Sequence, residues 1–303
     1  MPESSLASLA TEHAAEHYHD LDTWSPLQRL QALVDANTQA VAAVQAALPA
    51  LEQAAQGIIA CLQRGGRLVY IGAGTSGRLA AQDAAELPPT FGFAHTVVLL
   101  AGGDSAQSQA QEGAEDDREA AVQAVKAAAL NADDACVAVA ASGNTPYTVA
   151  GLEQAKAQGA FTVGIANNPE SALLRSADVA VLLHTGAEVL AGSTRLCAGS
   201  AQKIALNALS TCVLVELGGA YQNLMVGMQA SNQKLRQRAH SIVQQATQAP
   251  EQDIQQALEQ ASWHMREAIV MLKTGMSYPQ ARQALQRHGQ KVRAVLQAEN
   301  PIR

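Results

Sequence analysis

The chain has 303 residues, 48% of them hydrophobic but only 3% aromatic, and a formal net charge of −7. That length holds one large α/β domain and a smaller one, with cores built from small aliphatic side chains. The acidic balance excludes the clustered basic face that nucleic acid requires. Four widely spaced cysteines (Cys61, Cys136, Cys197, Cys212) with no CxxC pair fit incidental thiols in a reducing cytoplasm rather than disulfides or zinc. No stretch approaches the ~20 apolar residues of a membrane span, and the polar N-terminus lacks the apolar core of a signal peptide. The expectation is a soluble, cytoplasmic protein.

Residues 1–25 are expected to be irregular. Their histidines (His13, His17, His19) invite a metal reading, but no carboxylate or cysteine pattern accompanies them, so the segment is read as a solvated or interfacial arm with no metal. Residues 27–62 show helical spacing, with a break near Pro49. From Arg67 the rhythm changes to strands at 68–72, 96–100, 136–141, 161–165 and 179–183. Helices are expected between them at 76–86, 105–130, 148–158 and 170–176. Continuous apolar strands separated by helices predict a five-stranded parallel, doubly wound α/β sheet. A long buried helix at 195–217 ends at Gly218-Gly219. From Asn232 onward, Pro250, Gly275, Pro279 and Gly289 punctuate a small helical bundle. Its apolar positions are Ile254, Leu258, Met265, Ile269, Leu272, Leu285, Val292 and Leu296. The resulting division is an arm with helices (1–55), an α/β domain (56–231) and a C-terminal bundle (232–303).

The first strand runs into Gly72-Ala73-Gly74-Thr75-Ser76-Gly77, a GxGxxG match. A dinucleotide site would also need an acidic residue at the end of the second strand to take the ribose hydroxyls. That strand ends in Leu100-Ala101, and no acid follows until Asp104. Gly74, Thr75 and Ser76 instead offer N–H groups and hydroxyls at a helix N-terminus, which suits a phosphate monoester. The third strand leads into a similar loop, Ser142-Gly143-Asn144-Thr145-Pro146. One such loop reads equally as a Ser/Thr helix cap; two at the carboxyl ends of one sheet point to a shared phosphate pocket.

Two groups of carboxylates stand out. Glu112 and Glu115, three apart, share one face of the predicted 105–130 helix, although such acidic runs are ordinarily solvated faces. Glu86 is expected in the last turn of its helix, which stops at Pro88-Pro89. There the negative helix end would raise its pKa toward the range of a general acid. Read alone, Glu86 is equally an exposed residue with no role.

Together GAGTSGRL, DAAELPPTFG, the Glu112–Glu115 segment, AASGNTPY, GAEVLAGSTRLCAGSAQK and NLMVGMQASNQKLRQR resemble the N-acetylmuramic acid 6-phosphate etherases, members of the sugar isomerase (SIS) domain superfamily. The resemblance implies a cofactor-independent homodimeric lyase that releases D-lactate from the C3 ether of N-acetylmuramic acid 6-phosphate, in cell-wall sugar recycling. It places the catalytic pair on Glu86, as acid toward the lactate oxygen, and Glu115, as base for the C2 proton. Substrate contacts fall on Gly74, Thr75, Ser76, Glu112, Ser142, Gly143, Asn144 and Thr145. This chain departs from the family pattern at Ala85 and Leu87, at Asn144 (usually Arg), Cys197 (often Lys), Gln222 (Gly) and Gly227 (Asp). Along an unbroken helix Glu86 would lie ~15 Å from the phosphate end, so either that helix ends early or Glu86 serves a partner subunit's pocket. An aldose–ketose isomerase of a phosphosugar and a non-catalytic sugar-phosphate sensor are the competing readings.

Overall fold

The computed structural model describes residues 9–109 and 111–299, which group into two compact units: 9–84 with 95–210, and 85–94 with 211–299.

The first unit opens with an arm of three short 3₁₀ turns between Ala10 and Thr23. It is not simply solvated. Thr11 is completely buried, its hydroxyl accepting from Asn168 Nδ2 at 3.0 Å and its carbonyl from the Gly192 N–H at 3.1 Å. Helix α1 (Pro26–Ala46) starts at a capping box made by Ser25 and Gln28. Helix α2 (Leu48–Gln63) follows after a break at Ala47, with Pro49 in its first turn, as the sequence predicts.

Strands β1 (Leu68–Gly72), β2 (Thr96–Leu100), β3 (Ala135–Ala140), β4 (Phe161–Ala166) and β5 (Val179–Leu182) form one parallel sheet in the order β2-β1-β3-β4-β5. The central strands β1 and β3 are buried at every position, whereas the edges β2 and β5 are only partly covered. Val69, Ile71, Cys136 and Ala138 pack with α4 (Arg118–Ala128) and α5 (Pro146–Ala157) on one face. A Cβ at Gly151 of α5 would stand 3.0 Å from Ile71, so a small residue there lets α5 close onto β1. On the other face Tyr70 donates to Asp83 of α3 (Gly74–Phe91) at 2.7 Å, and Asn207 and Ser210 of α7 (Cys197–Leu214) donate to the same carboxylate. Burial, together with Asp83, holds the Tyr70 phenol well above its ordinary pKa.

Two helix predictions need correction. The helix expected at 105–130 begins only at Arg118; Gly102, Gly103 and Gly113 all have positive φ, and Asp117 caps α4 by accepting from the Ala120 N–H at 2.8 Å. Glu112 and Glu115 therefore do not share a helix face: Gly113 between them is left-handed, and Glu115 lies in a 3₁₀ turn over Ala114–Asp116. Conversely α3 does not stop at Pro88-Pro89 but continues to Phe91, the Gly92 N–H closing its last turn on Pro88 O at 3.0 Å. Both prolines have φ preset near the helical value, so the helix loses two N–H donors without unwinding.

The second unit contains a hairpin of β6 (Ala220–Tyr221) and β7 (Leu224–Met225) and the helices α8 (Gln233–Thr247), α9 (Glu251–Gln260), α10 (Met265–Thr274), α11 (Tyr278–Arg287) and α12 (Val292–Glu299). Its core holds Ile254, Leu258, Met265, Ile269, Leu285 and Val292, with Leu272 and Leu296 partly buried against it. The helix boundaries follow the expected punctuation: Asn232 caps α8, Pro250 precedes α9, and Gly275 ends α10 in the left-handed conformation. Gln222, at the hairpin turn where the family pattern carries Gly, has φ 56.

Candidate active site

The strand order makes β1 and β3 neighbours whose connections leave in opposite directions, the topological switch at which open α/β sheets bind ligands. The two hydroxyl-rich loops follow these two strands. Between them lies a pocket of about 360 Å³ that brings together Ser76, Glu115, Ser142, Asn144 and Thr145.

The glycines of the first loop divide their work. Gly74, with φ +53, makes the turn, and nothing stands within 4 Å of a Cβ built on it. Gly72 and Gly77 serve packing: a Cβ on Gly72 would meet Gly77 Cα at 2.7 Å, so only glycines let α3 sit this close to β1. Ser76 is buried at the start of α3 and faces the pocket. Thr75 turns instead into a neighbouring depression beside Asn37, Arg195 and Lys203.

In the second loop Gly143 is left-handed (φ +67), and its carbonyl accepts from the Leu173 N–H at 2.9 Å. The Asn144 side-chain oxygen accepts from the Ala172 N–H at 2.9 Å, pinning the loop to the start of α6 (Ala172–Ser176). Ser142 Oγ accepts from the Asn144 N–H at 3.1 Å and stands 3.5 Å from Thr145 Oγ1. Thr145 is the N-cap residue of α5 but makes no side-chain cap bond. The ordinary capping explanation does not hold for this hydroxyl, whose nearest polar side-chain atom is Ser142 Oγ.

Among the described residues the pocket lining holds no Lys or Arg. An anion here meets hydroxyls and the N-termini of α3 and α5, whose free N–H groups and helix dipoles favour phosphate. Glu115 stands in the same pocket with its neighbour Asp116. Glu112 is exposed and is not among the lining residues. Glu86 is exposed on the 85–94 segment of the second unit and is likewise not among them. It sits more than a turn before the end of α3, beyond the reach of the helix-end field expected to act on it.

Three contributors escaped the sequence reading. Glu12, carried by the buried Thr11, lines the pocket, and so does Thr194. Glu188, 1% exposed, accepts from the Cys197 and Ala198 N–H groups, both at 2.9 Å, and so fixes the start of α7. No spacing rule links residue 12 to residues 115 and 142; the contacts of Thr11 with Asn168 and Gly192 do. Cys197 itself is buried, its thiol directed at Ala36 O at 3.2 Å. Burial, reinforced by Glu188, pushes that thiol up to about 11.

Three family models match the chain: the glucokinase regulatory protein N-terminal SIS domain over residues 50–156, the SIS domain over 118–211, and the C-terminal lid domain of glucokinase regulatory protein over 222–268. Among solved structures, a putative phosphosugar isomerase from Bacteroides fragilis is 22% identical with a TM-score of 0.50, covering 66% of this chain and 95% of its own. A phosphoheptose isomerase from Neisseria gonorrhoeae is 19% identical with a TM-score of 0.50, covering 62% and 99%. Both share the fold. An N-acetylmuramic acid 6-phosphate etherase of Deinococcus radiodurans is 49% identical over 288 residues, covering 94% of both chains. One from Geobacillus thermodenitrificans is 45% identical over 294 residues, covering 96% of this chain and 100% of its own. The chain therefore belongs to the N-acetylmuramic acid 6-phosphate etherase family.

Proposed function

We propose that the protein is an N-acetylmuramic acid 6-phosphate etherase, a carbon–oxygen lyase of amino-sugar catabolism and cell-wall recycling. The observation that carries the reading is the placement of Glu115 in one pocket with the hydroxyls of Ser76, Ser142 and Thr145 at the switch point of the sheet. The 6-phosphate lies on these hydroxyls and the two helix N-termini, which orients the open-chain sugar. Glu115 removes the C2 proton, acidified by the C1 aldehyde. The electron pair forms the C2–C3 double bond as the C3–O bond breaks, and D-lactate leaves with a proton from Glu86. Water then adds across the C2–C3 double bond, its oxygen to C3 as Glu86 takes its proton while Glu115 returns a proton to C2, to give N-acetylglucosamine 6-phosphate. Each positioned acid or base typically contributes ~10²–10⁴-fold.

The active form in this reading is a homodimer. Leu27, Leu30, Val34 and Val41 of α1 are 74, 61, 66 and 47% exposed, and the spacing of 27, 34 and 41 is that of a helix–helix seam. A second copy covers this stripe. Because α3 is unbroken between Ser76 and Glu86, the remaining alternative is that Glu86 serves the partner subunit's pocket. Four unpaired cysteines support a cytoplasmic setting.

The test is D-lactate release from N-acetylmuramic acid 6-phosphate. Wild type should release it, and Glu115→Gln should lose ~10²–10⁴-fold in rate with an unchanged thermal midpoint. No lactate from folded wild-type protein overturns the reading. Isomerisation of a simpler phosphosugar would mark an isomerase, and binding without turnover a sensor. Mixed dimers of Glu86→Ala and Ser142→Ala subunits should regain activity if Glu86 acts across the interface; no recovery excludes sharing.

A further inference from the structure

The C-terminal unit carries a second polar pocket, of about 530 Å³, walled in part by Gly227, Arg236, Trp263, His264 and Arg266. Arg266 is its anomaly. Its Nε is buried with no hydrogen-bond partner. Burial, only partly opposed by neighbouring Glu267, holds the guanidinium below its ordinary pKa. A desolvated cation without an acceptor is unstable unless something supplies one.

The surroundings supply space and further positive charge. A Cβ on Gly227 would stand 2.3 Å from Phe91 O and 2.8 Å from Arg266 Nη2, so only a glycine lets the Phe91 backbone and the guanidinium come this close. Arg236 lies over the Trp263 ring at 5.1 Å, a second cation on the same wall. His264 Nδ1 is 2.8 Å from Ala261 O; a carbonyl only accepts, so Nδ1 carries the proton of this contact, which holds the ring in place. Ser262 and Trp263 both hold positive φ, 51 and 65, a backbone that bulky residues rarely adopt and that keeps them at the rim. Against two arginines the lining sets one acid, Glu267.

We propose that this pocket is a second anion site, distinct from the pocket at the sheet, in which Arg266 and Arg236 bind the phosphate group of a small phosphorylated metabolite. The Nη–H groups of two guanidinium side chains are donors that match the oxygens of a phosphate. The pocket volume is in the range of small-molecule sites, larger than a bare phosphate needs. The lining residues of the two pockets are different, so the Ser142→Ala variant separates binding here from binding of the lyase substrate.

The chain's two tryptophans, Trp24 and Trp263, allow a site-resolved test on the full-length protein. In a Trp24→Phe background, Trp263 emission is followed during titration with inorganic phosphate, glucose 6-phosphate and glucose. A phosphate group drawing Arg236 from the ring should change the emission saturably with the two phosphate-bearing ligands and not with glucose. Equal affinity for both would identify free phosphate as the source; tighter glucose 6-phosphate binding would identify a phosphorylated sugar. Arg266→Met should weaken the response at least ten-fold, and Ser142→Ala should leave it in place. If Arg266→Met does not fold, Arg236→Met replaces it with the same expectation. No saturable response, a response abolished by Ser142→Ala, or one undiminished in both arginine variants overturns the proposal.

Discussion

Replacing Gly143 by alanine tests how the second phosphate loop is held. Gly143 has φ +67, and a Cβ there would stand 2.1 Å from Ser171 Oγ, 2.4 Å from Ser171 Cβ and 2.9 Å from Ala166 Cβ. The left-handed backbone costs an alanine about 1–2 kcal/mol. Forcing a methyl into filled space costs about 1–3 kcal/mol more. Gly143→Ala should therefore lose about 2–5 kcal/mol in urea unfolding followed by far-UV circular dichroism. The loop also bonds Leu173 N–H through Gly143 O and Ala172 N–H through Asn144 Oδ1, so the strain displaces Ser142 and Thr145 together. A shift of about 1 Å in a positioned group costs about 10²-fold in kcat/KM. Ser171 separates the two contributions. Its hydroxyl is buried without a partner and makes no cap bond to α6, so Ser171→Gly alone should cost only a few tenths of a kcal/mol. Combined with Gly143→Ala it removes the two closest obstructions and should restore about 1–3 kcal/mol, leaving the backbone term and the Ala166 contact. The reasoning fails if Gly143→Ala matches wild type in stability and D-lactate release, or if Ser171→Gly restores nothing.

Three further outcomes follow from buried polar contacts. Arg67 pairs with Asp134 at 2.6 Å, their side chains 31% and 1% exposed, so Arg67→Ala strands a buried carboxylate and should cost about 3 kcal/mol. Burial alone would raise Asp134; the Arg67 guanidinium and the N–H groups of Arg67 and Asn131 more than offset it and hold the carboxyl below its ordinary value. A depressed folded-state pKa contributes stability above about pH 4 that disappears as pH falls through the folded value. Urea midpoints between pH 6 and 2.5 should show this loss in wild type and a flatter profile in Arg67→Ala. Thr11→Val leaves one Asn168 N–H without its buried acceptor and should destabilise by about 1–3 kcal/mol. Because Thr11 holds Glu12 at the pocket, the variant should also raise KM; an unchanged KM would detach the arm from the site. Cys136, held at about 12 by burial, and Cys197, at about 11, should resist iodoacetamide at pH 8 in the folded protein, while exposed Cys212 is alkylated. Peptide mass spectrometry reads the pattern, and rapid labelling of Cys197 would contradict its packing.

Local chemistry made much of this chain legible. Strands β1 and β2 occupy the stretches their apolar runs mark, and Asn232, Pro250 and Gly275 bound helices as their backbone preferences require. The missing acid after β2 argues for a phosphate loop over a dinucleotide loop, a distinction that depends on residues within one βαβ unit. Where the reading failed, two local preferences competed. Between Ser105 and Leu130, helix-forming residues surround glycines that adopt positive φ and an Asp117 that caps a later start. At Pro88-Pro89 the helix survives two residues that usually end one. Composition ranks such alternatives poorly because each differs by about a kilocalorie per residue.

The sequence by itself determined the parallel sheet and the two hydroxyl-rich loops at the ends of its central strands, since each follows from residues close in the chain. Only the tertiary structure decided that Ser76 and Thr75 face different cavities, that Glu112 stands apart from Glu115, and that a buried threonine brings Glu12 to the pocket. It also decided that Gly227 and Arg266, far apart in sequence, meet beside an unsatisfied guanidinium. Contacts between distant segments depend on how the elements pack, and spacing along the chain carries no record of that packing.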